Sequence, residues 1–284
     1  MASDTHGHPY YLYREDARCE QERMRLGIRC AASSFNEDEF IFNEMTAHQE
    51  GAPFMALCFG VHPQLPAHQR HDIERACSFL ETLAKEKRIA AIGETGFDLF
   101  SDAYRAHEQT QDAIFEHHLG IALRYNLPVV LHIRRAMHKV FLFNKQLKRL
   151  AAVVFHSYSG SLDEARSVLR RGINGYFSFG SAIMMNHKNA MQCCAALDAE
   201  RLLFETDAPY QPLYGKKFSV WQDIFQVINA ASALRREAGS TLTEKNELEY
   251  ITDKNFDLVF GGACWGKVRV QKNQSEEWGA KESK

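Results

Sequence analysis

Short apolar runs rich in β-branched and aromatic residues recur along the chain, and each gives way to a stretch with helical spacing. Strands are expected at Gly27–Ser33, Phe54–Gly60, Ile89–Gly93, Pro128–His132, Ala151–His156, Gly175–Ser178 and Arg201–Glu205, with a short one before His6. Amphipathic segments lie between them, clearest at Ala67–Lys87, Arg105–Tyr125, Ser161–Arg171 and His187–Leu197. Within His71–Ala84, Ile73, Ala76, Phe79, Leu80 and Leu83 fall on one face of a 3.6-residue period. Strictly alternating strands and helices require a parallel sheet covered by helices, because parallel neighbours need long crossovers. Eight strands and no Gly-rich dinucleotide fingerprint favour a closed TIM-type (β/α)8 barrel over an open doubly wound sheet.

Length agrees. The 284 residues suit a single α/β barrel, which typically needs about 250. The region from Ser219 reads as further helices, Val220–Glu237 and Asn246–Phe260. Residues 1–265 are therefore expected to form one barrel domain with C-terminal helices, and 266–284 a polar, flexible tail. Formal charge is −2, from 34 basic and 36 acidic residues, so no histone-like grip on nucleic acid is implied. A neutral total still permits a phosphate ligand, since a local basic rim or a metal can hold one.

Seven cysteines, at 19, 30, 58, 77, 193, 194 and 264, include no CxxC pair. An odd number in a chain of this size points to a reducing compartment rather than a disulfide framework. The N-terminal stretch has neither a basic n-region nor an apolar h-region, and no run approaches 18 apolar residues. A cytoplasmic, non-membrane protein is expected.

The chemistry is carried by where histidines and acids fall relative to the strands. His6 and His8 are two apart in Asp4-Thr-His-Gly-His8, and on an extended segment both imidazoles project to one side. Glu94 follows Ile89–Gly93, His132 ends Pro128–Leu131, His156 ends Ala151–Phe155, and Asp207 follows Arg201–Glu205. Barrel enzymes build their sites at these C-terminal strand ends. A lone histidine there is more often a surface residue. Six candidate ligands at five strand ends are another matter, since the bland reading would have to hold at every one. Four His, one Glu and one Asp suit one or two divalent ions, Mg2+, Mn2+ or Zn2+, with Glu94 able to bridge.

Further candidates surround this set. Arg134 lies two residues beyond His132 and is the best phosphate clamp, its guanidinium able to take two phosphate oxygens; the plainer alternative is a surface salt bridge. Glu205, two residues before Asp207, either orients a ligand or the attacking water, or is a structural carboxylate. His62 sits level with the pocket and either lines it or packs. Lys216 and Lys217 are candidates for a nucleic-acid backbone. Tyr158 and Phe97 could stack on bases, though aromatics there are more often packing.

Seven segments, in order, carry a family resemblance: Asp4-Thr-His-Gly-His8, Gly60-Val-His-Pro63, Gly93-Glu-Thr-Gly-Phe-Asp98, Leu131-His-Ile-Arg134, His156-Ser-Tyr-Ser-Gly-Ser161, Tyr176-Phe-Ser-Phe-Gly180 and Glu205-Thr-Asp-Ala-Pro-Tyr210. Together they resemble the TatD family of metal-dependent deoxyribonucleases, over about residues 4–214. The resemblance implies a metallohydrolase barrel and a divalent-metal nuclease, often a 3′–5′ exodeoxyribonuclease with DNA as substrate. It also implies that His6, His8, Glu94 and Asp207 hold one ion and that Glu94, His132 and His156 hold a second. Asp207 would take a proton from the attacking water. Three departures stand out: Gly7 where cysteine is usual and Pro9-Tyr10 for the common Leu-Asp; only five residues before His6; and Lys216-Lys-Phe-Ser-Val where an Asn-Glu-Pro segment is expected. All six ligands survive them, so the departures bear on substrate recognition.

Two other readings stay open. The same site could hydrolyse amides or esters, including aminoacyl esters on transfer RNA, or the chain could be a metal-binding scaffold without catalysis. Oligomeric state is not encoded in any feature of the sequence.

Overall fold

A computed structural model describes residues 2–65 and 70–261. Eight parallel strands follow one another in chain order around one sheet. They are β1 Ser3–Gly7, β2 Arg29–Ser34, β3 Met55–Phe59, β4 Ala91–Asp98, β5 Val129–Arg134, β6 Val153–Phe155, β7 Gly175–Phe179 and β8 Leu202–Phe204. Helices fill the crossovers, as a parallel order demands. The fold is the expected TIM-type barrel.

Closure comes between β8 and β1, just beyond the end of β8. Gly7 bridges Ala208 in parallel, the His8 amide donates to the Ala208 carbonyl at 2.7 Å, and the Asp207 amide donates to the His6 carbonyl at 3.0 Å. One turn inward, the buried Asp4 carboxylate accepts from the Thr206 amide at 3.0 Å and its hydroxyl at 2.6 Å. This joint fixes the two histidines of β1 against the loop that carries Asp207.

Ala31, Ala56, Cys58, Ala91, Val130, Val154, Tyr176 and Leu203, from β2 to β8, cluster with Phe256, Val259 and Phe260 of the last helix, Lys245–Phe260. That helix lies over the N-terminal strand ends. Arg29, opening β2, pairs with Asp253 and Asp257, and the Asn255 amide donates to the Ala199 and Leu202 carbonyls beside β8. One mouth of the barrel is thus covered, and the C-terminal mouth is left for chemistry.

β4 runs five residues past the expected end at Gly93, and β5 continues to Arg134. Two glycines explain β4. A Cβ on Gly93 would stand 2.7 Å from the Cys58 Cβ, and one on Gly96 2.4 Å from the His132 carbonyl oxygen. Here glycine allows close strand approach and a register shift between Ile92 and Thr95, not a turn. The expected helix at 105–125 is a short turn, Asp102–Arg105, followed by Glu108–Tyr125. The crossover from β1 to β2 holds two short helices, Pro9–Glu15 and Cys19–Leu26, which no strong periodicity announces. The segment 67–69 and the tail 266–284 lie outside the described residues. No described helix is long and apolar enough to cross a membrane.

Candidate metal centre

All six expected ligands meet at the C-terminal mouth. Glu94, near the middle of β4, is the hub. Its Oε2 lies 3.3 Å from His6 Nε2 and 3.6 Å from His8 Nε2. Its Oε1 lies 2.8 Å from His132 Nδ1, 3.1 Å from His62 Nε2 and 3.5 Å from His156 Nε2. Asp207 Oδ1 stands 3.6 Å from His6 Nε2 and 3.5 Å from His8 Nε2. One carboxylate therefore faces two sets of imidazoles with its two oxygens, which is the geometry of a bridging ligand.

At this mouth three groups have ligand atoms close enough to share an ion: His6, His8 and Asp207; His6, Glu94 and His156; His62, Glu94 and His132. His156 sits against His6, ring centroids 3.8 Å apart, and farther from His132 at 6.1 Å. The resemblance grouped His156 with His132 instead.

The donors fit a hard or borderline divalent cation. His6 Nε2 is buried without a hydrogen-bond partner although it faces two carboxylates. A neutral imidazole nitrogen and a carboxylate oxygen at that range repel unless a proton or a metal lies between them. Burial and then the neighbouring His156 hold His6 below its usual range, so it keeps the lone pair a metal needs. Burial alone would raise the Glu94 carboxyl, but His62, His6 and His156 outweigh it and keep it well below the ordinary range. Asp207 is held down in the same way against burial, by His8, His156 and His6. Against the cost of burial, Glu205 and Glu94 push His156 up to about 10. The carboxylates thus demand positive charge at the centre of the site, from protons or from metal.

A second layer fixes the imidazoles. Glu205, buried just past β8, sets Oε1 3.0 Å from His156 Nδ1 and accepts from the Ser157 amide and hydroxyl, each at 2.8 Å. Gln211 donates to Asp207 Oδ2 at 2.7 Å, leaving Oδ1 toward the histidines. Asp207 itself takes a left-handed backbone, φ +54°, a conformation that functional sites tend to hold. His62 Nδ1 accepts from the Gln64 amide at 3.2 Å. Its proton is thereby on Nε2, where it donates to Glu94. His62 orients the hub carboxylate.

Asp98 was not singled out by the sequence, though it ends the Gly93–Asp98 segment. It is fully buried, and its Oδ2 lies 3.2 Å from His132 Nε2 and 2.8 Å from Gln64 Nε2. Burial opposes its ionisation, but His132, Gln64 and the Phe100 amide bring it down to about 2. The usable signal was parity: residues 94, 96 and 98 share one side of an extended strand.

The outer candidates fare differently. Arg134 is exposed at the end of β5, its guanidinium 3.8 Å over the Phe100 ring and outside the ligand cluster. Lys216 pairs with the buried Asp223, and Lys217 with Glu15 at 2.9 Å. Phe97 and Tyr158 are buried at 0% and 4% exposure against Phe115, Phe143, Phe155 and Phe177. They are packing residues. No base can reach them.

Residues 3–261 match the sequence pattern of the family described as TatD related DNase. The chain is 35% identical over 153 residues to the 3′-5′ ssDNA/RNA exonuclease TatD of Pantoea vagans, a match that spans 56% of that protein's length. It is 32% identical over 227 residues to the protein of the same description from Klebsiella pneumoniae, covering 76% of this chain and 80% of that one. Similarity to the uncharacterized metal-dependent hydrolase YjjV of Escherichia coli is 30% over 220 residues, 75% of this chain and 81% of that one. The crystal structure of YjjV superposes with a TM-score of 0.77 over 92% of this chain and 98% of its own, at 26% identity. The barrel, the cluster at its mouth and the match over nearly all of its length agree: this chain belongs to the TatD family of metal-dependent hydrolases.

Proposed function

We propose that the chain hydrolyses phosphodiester bonds of single-stranded nucleic acid, DNA in the first instance, working from the 3′ end with two divalent ions. The observation that carries this reading is Glu94, whose two oxygens face separate sets of imidazoles. His6, His8, Asp207 and Glu94 would hold one ion, and Glu94 with His132 and His156 the other. Mg2+, Mn2+ or Zn2+ bound there would supply Lewis acidity, acidifying water and neutralising charge on phosphoryl oxygens. Asp207 is the proton acceptor, its Oδ1 aimed at the cluster while Gln211 occupies Oδ2. Glu205 holds the His156 ring in place through Nδ1. Arg134, stacked on Phe100 at the mouth, offers its guanidinium edge to a phosphate. The described cysteines are all free, which fits a reducing, cytoplasmic setting.

End-labelled single-stranded DNA and RNA, incubated with protein and each of the three ions, test the reading. The expected outcome is a ladder shortening from the 3′ end, lost with chelator and restored by metal. Glu94→Ala and His132→Ala should abolish it while the far-UV circular dichroism stays barrel-like. An aminoacyl ester cleaved in place of the oligonucleotide would overturn the phosphodiester assignment. Bound metal without hydrolysis of any of these substrates would make the chain a scaffold.

A further inference from the structure

Beside the ligand cluster, the helix Pro9–Glu15, the segments leaving β2 and β3 and the helix Arg70–Lys85 line an open cavity of about 430 Å3. Tyr10, Tyr11, Phe35, Phe59 and Phe79 form its walls, and His62 separates it from the metal centre. We propose that this cavity receives one unpaired nucleobase of the strand being cut, an assignment that rests on the polynucleotide reading above.

The position comes first. His62 lines the cavity while its Nε2 lies 3.1 Å from Glu94 Oε1. A phosphate at the ligands and a flat ring in the cavity would thus be one imidazole apart, the spacing within a single nucleotide. A row of rings leads the same way. His8 meets Tyr210 edge-on at 5.1 Å, Tyr210 lies 6.2 Å from Tyr11, and Tyr11 stacks on Phe35 at 5.9 Å with 17° between their planes.

Charge then selects the part of the nucleotide. Glu37, Asp38 and Asp72 also border the cavity. Carboxylates repel a phosphate but accept hydrogen bonds from exocyclic amino groups. Arg75 pairs with Glu37, each offsetting the other, and Arg14 lies 5.8 Å from the Tyr10 ring centroid, so three acids against two arginines leave the border acidic by one charge. That border favours a neutral, planar, hydrogen-bonding group over a phosphate. Volume sets the last limit, since about 300–1,000 Å3 is the range for small organic ligands. A cavity at the low end takes a base or nucleoside and no base pair. Tyr10 stands where the family commonly has aspartate, so this wall belongs to the chain's own departure from the pattern.

Oligonucleotides carrying one abasic residue, moved stepwise from the 3′ end, test the assignment. Binding is read by fluorescence anisotropy with chelator present, and cleavage with Mn2+. One position near the 3′ end should lower affinity about 5- to 150-fold, the range for a stacked base. Tyr10→Ala should cost a similar factor on the intact oligonucleotide and Tyr10→Phe less than about twofold. Loss of ring and loss of base should not add: combined, they cost no more than either alone. Binding of wild type that ignores base removal at every position, or full additivity with Tyr10→Ala, overturns the proposal while leaving the nuclease reading intact. No cleavage or binding of the intact oligonucleotide by wild type would overturn both.

Discussion

The buried Asp98 and the half-buried His132 pair across neighbouring strands, with Oδ2 3.2 Å from Nε2, while the other nitrogen of the same ring faces Glu94 at 2.8 Å. The ring is held from both sides, so its direction is set before any cation arrives. Pairs of this kind fix the orientation of a ligand and raise its basicity. Asp98→Asn keeps the shape but loses the charge. It should weaken metal binding about 10- to 100-fold, measured by isothermal titration, with little change in the unfolding midpoint under chelator. An affinity within twofold of wild type would show that Asp98 is only structural.

Metal loading should be visible as stability. An ion that binds only the folded chain adds about 2.7 kcal/mol at a hundredfold excess over its Kd. In a barrel of this size that raises Tm by about 5–10 °C. Glu94→Gln should abolish the rise, because both groups of donors lose their shared member. His156, pushed up to about 10, carries a proton at pH 7.5 that a cation would displace. Titrations in buffers of different ionisation enthalpy should accordingly report proton release on metal binding.

His118 predicts the acid limb of stability. Fully buried, it offers Nε2 to the Val61 amide at 2.9 Å, and its Nδ1 lies 2.8 Å from the Ile114 carbonyl oxygen, so both nitrogens are committed to the neutral ring. Burial brings its pKa from 6.5 down to about 3. Below pH 6.5 the unfolded chain takes up this proton and the folded chain does not. Stability from this group is therefore complete above pH 6.5 and falls by about 1.4 kcal/mol per pH unit toward pH 3. Denaturant unfolding at pH 7.5, 6 and 5 should show a shallower decline in His118→Gln. Equal slopes would remove His118 from the account.

Gly60 tests the close approach of β3 and β4. A Cβ there would stand 1.7 Å from the Gly93 carbonyl oxygen, which is backbone and has no room to yield. Gly60→Ala should cost about 3 kcal/mol or more, read as a lowered denaturation midpoint. The same shift would displace Glu94 and His62, so metal affinity should fall with it.

What could be read from the residues alone follows a physical division. Strand–helix alternation made the barrel legible, because parallel pairing leaves few alternatives. The convergence of Glu94, His132, His156 and Asp207 was legible because each ends or follows an apolar run, and that of His6 and His8 because they stand two apart on an extended segment. Asp98 was hidden by Gly93 and Gly96, which resemble turn residues but serve close strand contact. The pairing of Glu205 with His156 joins residues 49 positions apart, and no local pattern encodes it. Phe97 and Tyr158 lie in strand-end segments like the ligands do, and only packing density shows that they are sealed.

His6 and His8 stand on one side of the joint between the first and last strands, and Asp207 stands on the other. In sequence those positions lie about 200 residues apart, so a chain still emerging from the ribosome can carry His6, His8, Glu94, His132 and His156 and still lack the sixth candidate, Asp207. Asp207 arrives only after the last strand, when the ring is buckled. A product stalled before it would hold the hub Glu94 but leave His6 and His8 without the other acid that faces them.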